Sequence, residues 1–183
     1  MLQNIIAEHK IEKEQLRAKE YVTREALARM HAAFQTDLIK VIQGPRRAGK
    51  SVCGFLFLQN QPFAYVNFDD DRLHGVNTDE LMKSLIAVYG EQKTLFFDEI
   101  QNLPRFELFV NKLHRRGYNL LLTGSNANLL SQELATALTG RHVAGEVLPF
   151  SLREFLRANE ALSLLDQSRS IEMHGKLLRL VDV

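Results

Sequence analysis

The residues best able to do chemistry in this 183-residue chain fall in two short stretches. The first reads Gly44-Pro45-Arg46-Arg47-Ala48-Gly49-Lys50-Ser51, the spacing Gly-x-x-x-x-Gly-Lys-Ser. Glycine at both ends lets a loop turn tightly, so that successive backbone N–H groups converge on one anion. A helix starting near Lys50 adds its own free N–H groups and the positive end of its dipole. Lys50 can then reach the β- and γ-phosphates of a nucleotide, and the Ser51 hydroxyl can ligate Mg²⁺. The nucleotide-binding set is Gly44, Pro45, Arg46, Arg47, Ala48, Gly49, Lys50, Ser51 and Val52. The second stretch, Thr94-Leu95-Phe96-Phe97-Asp98-Glu99, is an apolar run that ends in two acids. Asp98 suits a second Mg²⁺ contact beside Ser51, and Glu99 suits orienting or deprotonating an attacking water. Alone, an apolar strand ending in acids also describes any solvated strand end. One strand–helix unit after a phosphate loop, it completes a site.

Smaller groups surround these two. Thr123, Ser125 and Asn126 close a further apolar run, where a hydroxyl or amide can meet the γ-phosphate or the water; Ser125 can equally cap the next helix. Arg141 precedes the last strand, and its guanidinium can stabilise phosphoryl charge in cis or in trans. It can instead pair with Glu146, and Arg46 and Arg47 are rivals inside the loop. Asp69-Asp70-Asp71 reads as a solvated turn more than a metal site. Tyr21 and Val22 can pack near an adenine ring or simply against the core. His114-Arg115-Arg116 reads as a basic helix end.

Positioning these groups takes alternating strands and helices. Leu38–Ile42 runs into the phosphate loop as a strand, and Val52–Leu58 follows as a buried helix. Phe63–Phe68, Thr94–Asp98, Asn119–Asn126 and His142–Leu148 read as four more strands. Asn77 with Glu80 starts one helix, which Gly90 stops. Phe106, Phe109, Val110 and Leu113 share a helix face at i, i+3, i+4 and i+7. Residues 127–138 read as a helix, and Ser151 with Glu154 forms a capping box, flanked by Phe150 and Phe155 at staple positions. Upstream, residues 1–20 read as a solvated helix that docks loosely, and Thr23 as the cap of a second helix.

The bulk numbers narrow the class. Charge is nearly balanced, with 23 basic and 22 acidic residues for a net +1. No global field therefore argues for nucleic acid or a membrane surface. The one cysteine, Cys53, excludes an internal disulfide and a cysteine-rich zinc site. No apolar run reaches the length of a membrane span. The first twenty residues lack the apolar segment of a signal peptide, so a cytoplasmic protein is expected.

With these motifs quoted, the chain resembles prokaryotic AAA-type P-loop ATPases. The resemblance rests on Gly-Pro-Arg-Arg-x-Gly-Lys-Ser at 44–51, Phe-Asp-Glu-Ile-Gln at 97–101, Thr-Gly-Ser at 123–125, Gly-Arg at 140–141 and Pro-Phe-Ser-x-x-Glu-Phe at 149–155, and it covers residues 20 to 158. It implies a three-layer α/β/α sandwich with a mainly parallel five-stranded sheet, preceded by N-terminal helices. It also implies an additional strand between the phosphate-loop strand and the Asp–Glu strand, and ATP rather than GTP. Longer relatives carry a winged-helix-like region and a nuclease-like domain beyond this point, so the chain looks like an N-terminal fragment. The expected division is an N-terminal helical segment at 1–36, an ATPase core at 37–158 and the start of a C-terminal helical region at 159–183. The leading function is Mg²⁺-dependent ATP hydrolysis as a switch or motor for an unknown protein client, with a homo-oligomer possible. The alternatives are a nucleotide-responsive interaction module with negligible turnover and a nucleic-acid-associated ATPase.

Overall fold

Near-continuous apolar strands, such as Leu95-Phe96-Phe97 and Leu120-Leu121-Leu122, are suited to a sheet covered on both faces. The computed structural model, which describes residues 1–125 and 140–159, has that arrangement. Strands β1 (Ile39–Gln43), β2 (Ala64–Asn67), β3 (Thr94–Asp98), β4 (Asn119–Gly124) and β5 (His142–Glu146) form one parallel sheet in the order β2-β3-β4-β1-β5. The additional strand expected between the phosphate-loop strand and the Asp–Glu strand is β4.

Alternation along each strand sends neighbouring side chains to opposite layers. On one face Ile39, Val41, Phe97, Leu120 and Leu122 pack with Ile5 and Ile6 of α1 (Leu2–Arg17). Leu81 and Leu85 of α4 (Thr78–Tyr89), and Phe109, Val110 and Leu113 of α5 (Phe106–Arg115), complete that layer. On the other face Ile42, Tyr65, Phe96 and Leu121 meet Met30 of α2 (Glu25–Ala33) and Cys53 and Phe55 of α3 (Lys50–Phe57). The result is three layers, α/β/α.

The helix signals in the sequence have direct counterparts. Asn77 caps α4 by accepting from the N–H groups of Asp79 and Glu80, and Gly90 ends that helix at φ 75°. Helix α2 begins at Glu25, one residue later than a Thr23 cap implies. Strand β5 ends at Glu146, two residues short of the expected Leu148. The loose docking expected of residues 1–20 is not what is found. Ile6 is fully buried, and His9 and Lys13 are almost so. The pattern misled because two of the four buried positions are polar. Lys13 spends its aliphatic stem in the interior, donates to the Phe63 carbonyl at 3.0 Å, and lies over the Phe63 and Tyr89 rings.

Residues 1–21 and 25–149 form one compact unit, so α1 and α2 share the unit of the sheet. Among the described residues, 22–24 belong with 150–159 in a second unit. Within it Ser151 and Glu154 close a reciprocal capping box at the start of α6 (Leu152–Ala158). Arg24 there makes a buried ion pair with Glu154, Nε to Oε1 at 3.0 Å. The expected helix at 127–138 and the region from 160 on lie outside the described residues.

Candidate functional site

In a parallel sheet all strands deliver their carboxyl ends to one edge, where α/β folds place ligands. The phosphate loop leaves β1 at that edge, and β3 and β4 end beside it with Asp98 and Gly124. The loop needs unusual backbone. Gly44 sits at φ 151°, Arg47 at φ 63° and Gly49 at φ 85°, directly before α3. The first N–H groups of a helix lack an intrahelical acceptor, which suits the start of α3 to an anion held by the loop.

Ser51, in the first turn of α3, donates to Asp98 Oδ1 at 3.0 Å. Lys50 Nζ lies 3.5 Å from Glu99 Oε1 and donates to the Pro45 carbonyl at 3.1 Å. The four residues assigned from two distant stretches of sequence thus meet at one point. Asp98 is held on both oxygens. Thr123 joins Ser51 on Oδ1, and the Tyr65 hydroxyl donates to Oδ2 at 3.2 Å. Burial dominates and pushes the Asp98 carboxyl up, aided by the neighbouring Glu99 charge and opposed by the bonds from Thr123, Ser51 and Tyr65. Burial and the Asp98 charge push the Tyr65 hydroxyl far up as well, so it stays a donor.

Glu99 follows β3 at φ 49°, a left-handed backbone that costs a non-glycine residue about 1–3 kcal/mol. Its N–H donates to Thr123 Oγ1 at 3.0 Å, and Gln101 Nε2 donates to its Oε2 at 2.6 Å. Gln101 Nε2 also reaches Ser125 Oγ at 3.3 Å. Burial pushes the Glu99 carboxyl up, but the Gln101 amide, the Lys50 charge and Ser125 outweigh it, leaving it below the usual range. It is therefore ionised and able to accept a proton.

The donor set fits a hard divalent cation. A hydroxyl and one carboxylate converge, the pairing that Mg²⁺ uses with substrate phosphates and water completing its shell. Ser51 and Asp98 would hold the ion. No cluster of three or more His, Cys, Asp or Glu side chains suited to a metal exists among the described residues. Asp69 lies in the turn after β2, and Asp70 caps the short 3₁₀ helix Asp71–Leu73, bonded to Arg72 and to His9 Nε2 at 3.1 Å.

The other expected groups take these places. Thr123 is fully buried, and its hydroxyl is engaged between Asp98 and the Glu99 N–H. Ser125 does stand beside Glu99 through Gln101, while Asn126 lies outside the described residues. Arg141 lies at the amino end of β5, where its carbonyl accepts from the Ile39 N–H at 2.9 Å. The loop leaves β1 at Gly44, five residues or about 16 Å further along the strand. Arg141 therefore sits at the opposite end of β5 from the phosphate loop of its own chain. Its guanidinium faces Asn111 Oδ1 at 3.4 Å rather than Glu146. Tyr21 lines a cavity with Phe55, Leu56 and Gln59 at the far end of α3, away from the loop. Tyr65 and Gln101 carried no role in the sequence. A tyrosine two residues before the end of β2 was the available signal for the first, since the parallel register brings it alongside β3.

Residues 36–156 match the AAA domain family. An uncharacterized protein of Methanocaldococcus jannaschii is 42% identical over 124 residues, covering 65% of this chain and 28% of that protein. An uncharacterized protein of Haemophilus influenzae is 38% identical over 170 residues, covering 85% of this chain and 42% of that one. The chain thus spans less than half the length of either relative. The crystal structure of Saccharomyces cerevisiae RIF2 superposes over 99% of this chain and 77% of its own, with a TM-score of 0.49 and 10% identity, too slight a likeness to carry weight. The matched segment runs from the turn before β1 into α6 and takes in every element that builds this site. The chain therefore belongs to the AAA domain family, whose members are nucleotide-binding, ATPase-like proteins.

Proposed function

We propose that this chain binds ATP with Mg²⁺ and hydrolyses it, through an ATPase core at residues 37–158 that serves as a switch or motor for a protein client. The observation that carries the reading is the convergence of Ser51 on Asp98 and of Lys50 on Glu99 at the carboxyl edge of the sheet. Phosphoryl transfer depends mainly on positioning and charge stabilisation, and those four side chains supply both. The loop N–H groups and Lys50 hold the phosphates, with Lys50 exchanging its Glu99 and Pro45 partners for phosphate oxygens. Bound Mg²⁺ supplies neutralisation of charge on the phosphate oxygens. Glu99 accepts a proton from water as the water oxygen bonds to the γ-phosphorus. The bond from that phosphorus to the bridging oxygen breaks, its electron pair leaves on ADP, and inorganic phosphate is released.

Arg141 suits a homo-oligomeric form of this reading, because its guanidinium, exposed and bonded to Asn111, lies at the end of β5 away from its own loop, where a neighbour's nucleotide could meet it. The test of the whole reading is phosphate release together with Mg²⁺·ATP titration. Glu99→Gln is expected to bind nucleotide and hydrolyse it at least about 100-fold more slowly. Asp98→Asn should weaken Mg²⁺-dependent binding and turnover together. Wild-type turnover in Glu99→Gln overturns the assignment, whereas tight binding with no turnover in the unaltered chain favours the nucleotide-responsive module.

A further inference from the structure

One polar side chain at this site, Gln101, keeps a buried atom without a partner among the described residues. Gln101 lies in the short 3₁₀ turn Ile100–Asn102 that follows Glu99. Its Nε2 donates to two acceptors, Glu99 Oε2 at 2.6 Å and Ser125 Oγ at 3.3 Å. Its Oε1 is buried and meets no donor among the described residues. The orientation of the amide is dictated by its neighbour. Turning Oε1 toward the Glu99 carboxylate would set two acceptors face to face. The amide thus spends its donor on the base and leaves its acceptor enclosed beside it.

Buried acceptors without donors are rare in folded proteins, and each calls for an explanation, a catalytic role or a bound water among them. The backbone points the same way, because Glu99, two residues earlier, is held in the left-handed region. Strain of this kind clusters where a site is held ready for a ligand. A water that attacks phosphorus has two hydrogens. Glu99 can take only one of them, and the second needs an acceptor fixed relative to the first.

Resting on the reading of Glu99 as proton acceptor, we infer that Gln101 is a further residue of the hydrolytic site, gripping Glu99 through Nε2 and accepting the second hydrogen of the attacking water on Oε1. The amide neither gains nor loses a proton. One hydrogen passes to Glu99 as the oxygen bonds to phosphorus, and the other stays on the oxygen and leaves with phosphate. Ser125, the second acceptor of Nε2, braces the amide from the end of β4. The two carboxyl-end turns after β3 and β4 therefore act on the water as one unit.

The test uses the full chain with Mg²⁺·ATP and four proteins: wild type, Glu99→Gln, Gln101→Met and the double variant. Methionine keeps the length of glutamine and removes both polar atoms, and thermal melting verifies that it folds. Gln101→Met is expected to lower kcat on the order of 10–100-fold, the scale of a misplaced reacting group, with ATP affinity held within about twofold. In the Glu99→Gln background the same substitution should cost much less than it does in the wild type, because both side chains hold the same water and Gln101 acts partly through that carboxylate. Gln101→Asn, with the same polar atoms on a shorter arm, serves as a second variant and should also lose kcat without losing affinity. Wild-type kcat in Gln101→Met, with Glu99→Gln slow, overturns this inference alone. Loss of ATP affinity in step with kcat, or additive losses in the double variant, overturns it in favour of a purely structural glutamine. Undiminished turnover in Glu99→Gln, or none in wild type, overturns the hydrolytic reading and the inference with it.

Discussion

Replacing Gly44 by alanine tests whether the turn from β1 into the phosphate loop is as tightly specified as the packing requires. Gly44 stands at φ 151°, and a Cβ built there lies 2.0 Å from the Val147 carbonyl oxygen and 3.0 Å from its carbon. Both are backbone atoms. Val147 is tied to β1 by its N–H bond to the Gln43 carbonyl at 2.8 Å, so it cannot retreat without losing the bond that extends the β5–β1 ladder. An L residue at such a φ costs about 1–3 kcal/mol, and overpacking a rigid neighbour about 1–3 kcal/mol more, giving about 2–6 kcal/mol in all. That is a large share of the roughly 5–15 kcal/mol that holds a domain together. Gly75→Ala is the matched comparison. Gly75 also has positive φ, at 69°, but nothing lies within 4 Å of its built Cβ. Only the backbone cost of about 1–2 kcal/mol applies there. Urea unfolding of both variants gives the difference, and calorimetric titration with Mg²⁺·ATP reports whether the loop has moved. Equal midpoints for the two variants, or an unchanged nucleotide affinity in Gly44→Ala, would refute the reasoning.

Further expectations address other parts of the chain. Lys50→Ala should lose most ATP affinity in the same titration, since Lys50 supplies the side-chain charge that the loop aims at the phosphates; unchanged affinity removes the site assignment. Ile6→Ala should cost about 2–5 kcal/mol by chemical denaturation, because Ile6 is fully buried under the sheet, and a negligible loss would return α1 to the surface. The Arg72 guanidinium, through its hydrogen bonds, holds the Asp70 carboxyl below the usual range. The folded pKa is thus the lower one, so this contribution is complete above the ordinary carboxylate range and is lost as pH falls below it. Wild type should therefore lose stability on acidification more steeply than Asp70→Asn, and parallel curves would contradict the pairing. Arg141→Ala mixed with Glu99→Gln should recover turnover if the arginine acts on a neighbouring subunit's nucleotide, while wild-type turnover in Arg141→Ala alone rejects any catalytic part.

The sequence alone determined whatever is local or periodic. Gly44 to Ser51 is contiguous, and each residue type in it has a backbone or charge requirement that spacing expresses directly. Asp98 and Glu99 were legible because an apolar run specifies a buried strand and so specifies which end carries the acids. The helix starts at Asn77 and Ser151 were legible for the same reason, since a cap and its partner lie within one turn. Tertiary structure decided what depends on strand order and register. Tyr65, Asp98 and Thr123 lie on three strands, and only the order β2-β3-β4 brings two hydroxyls onto one carboxylate. It also engaged the Thr123 hydroxyl, which is shared between Asp98 and the Glu99 N–H. Parallel pairing of β5 with β1 placed Arg141 at the far end of the sheet from the loop, a separation that adjacency in sequence to β5 could not express. Burial of α1 was decided by long-range packing too. The stems of His9 and Lys13 fill space that a hydrophobic pattern assigns to water, since burial follows the atoms that fit rather than the charge at their tips.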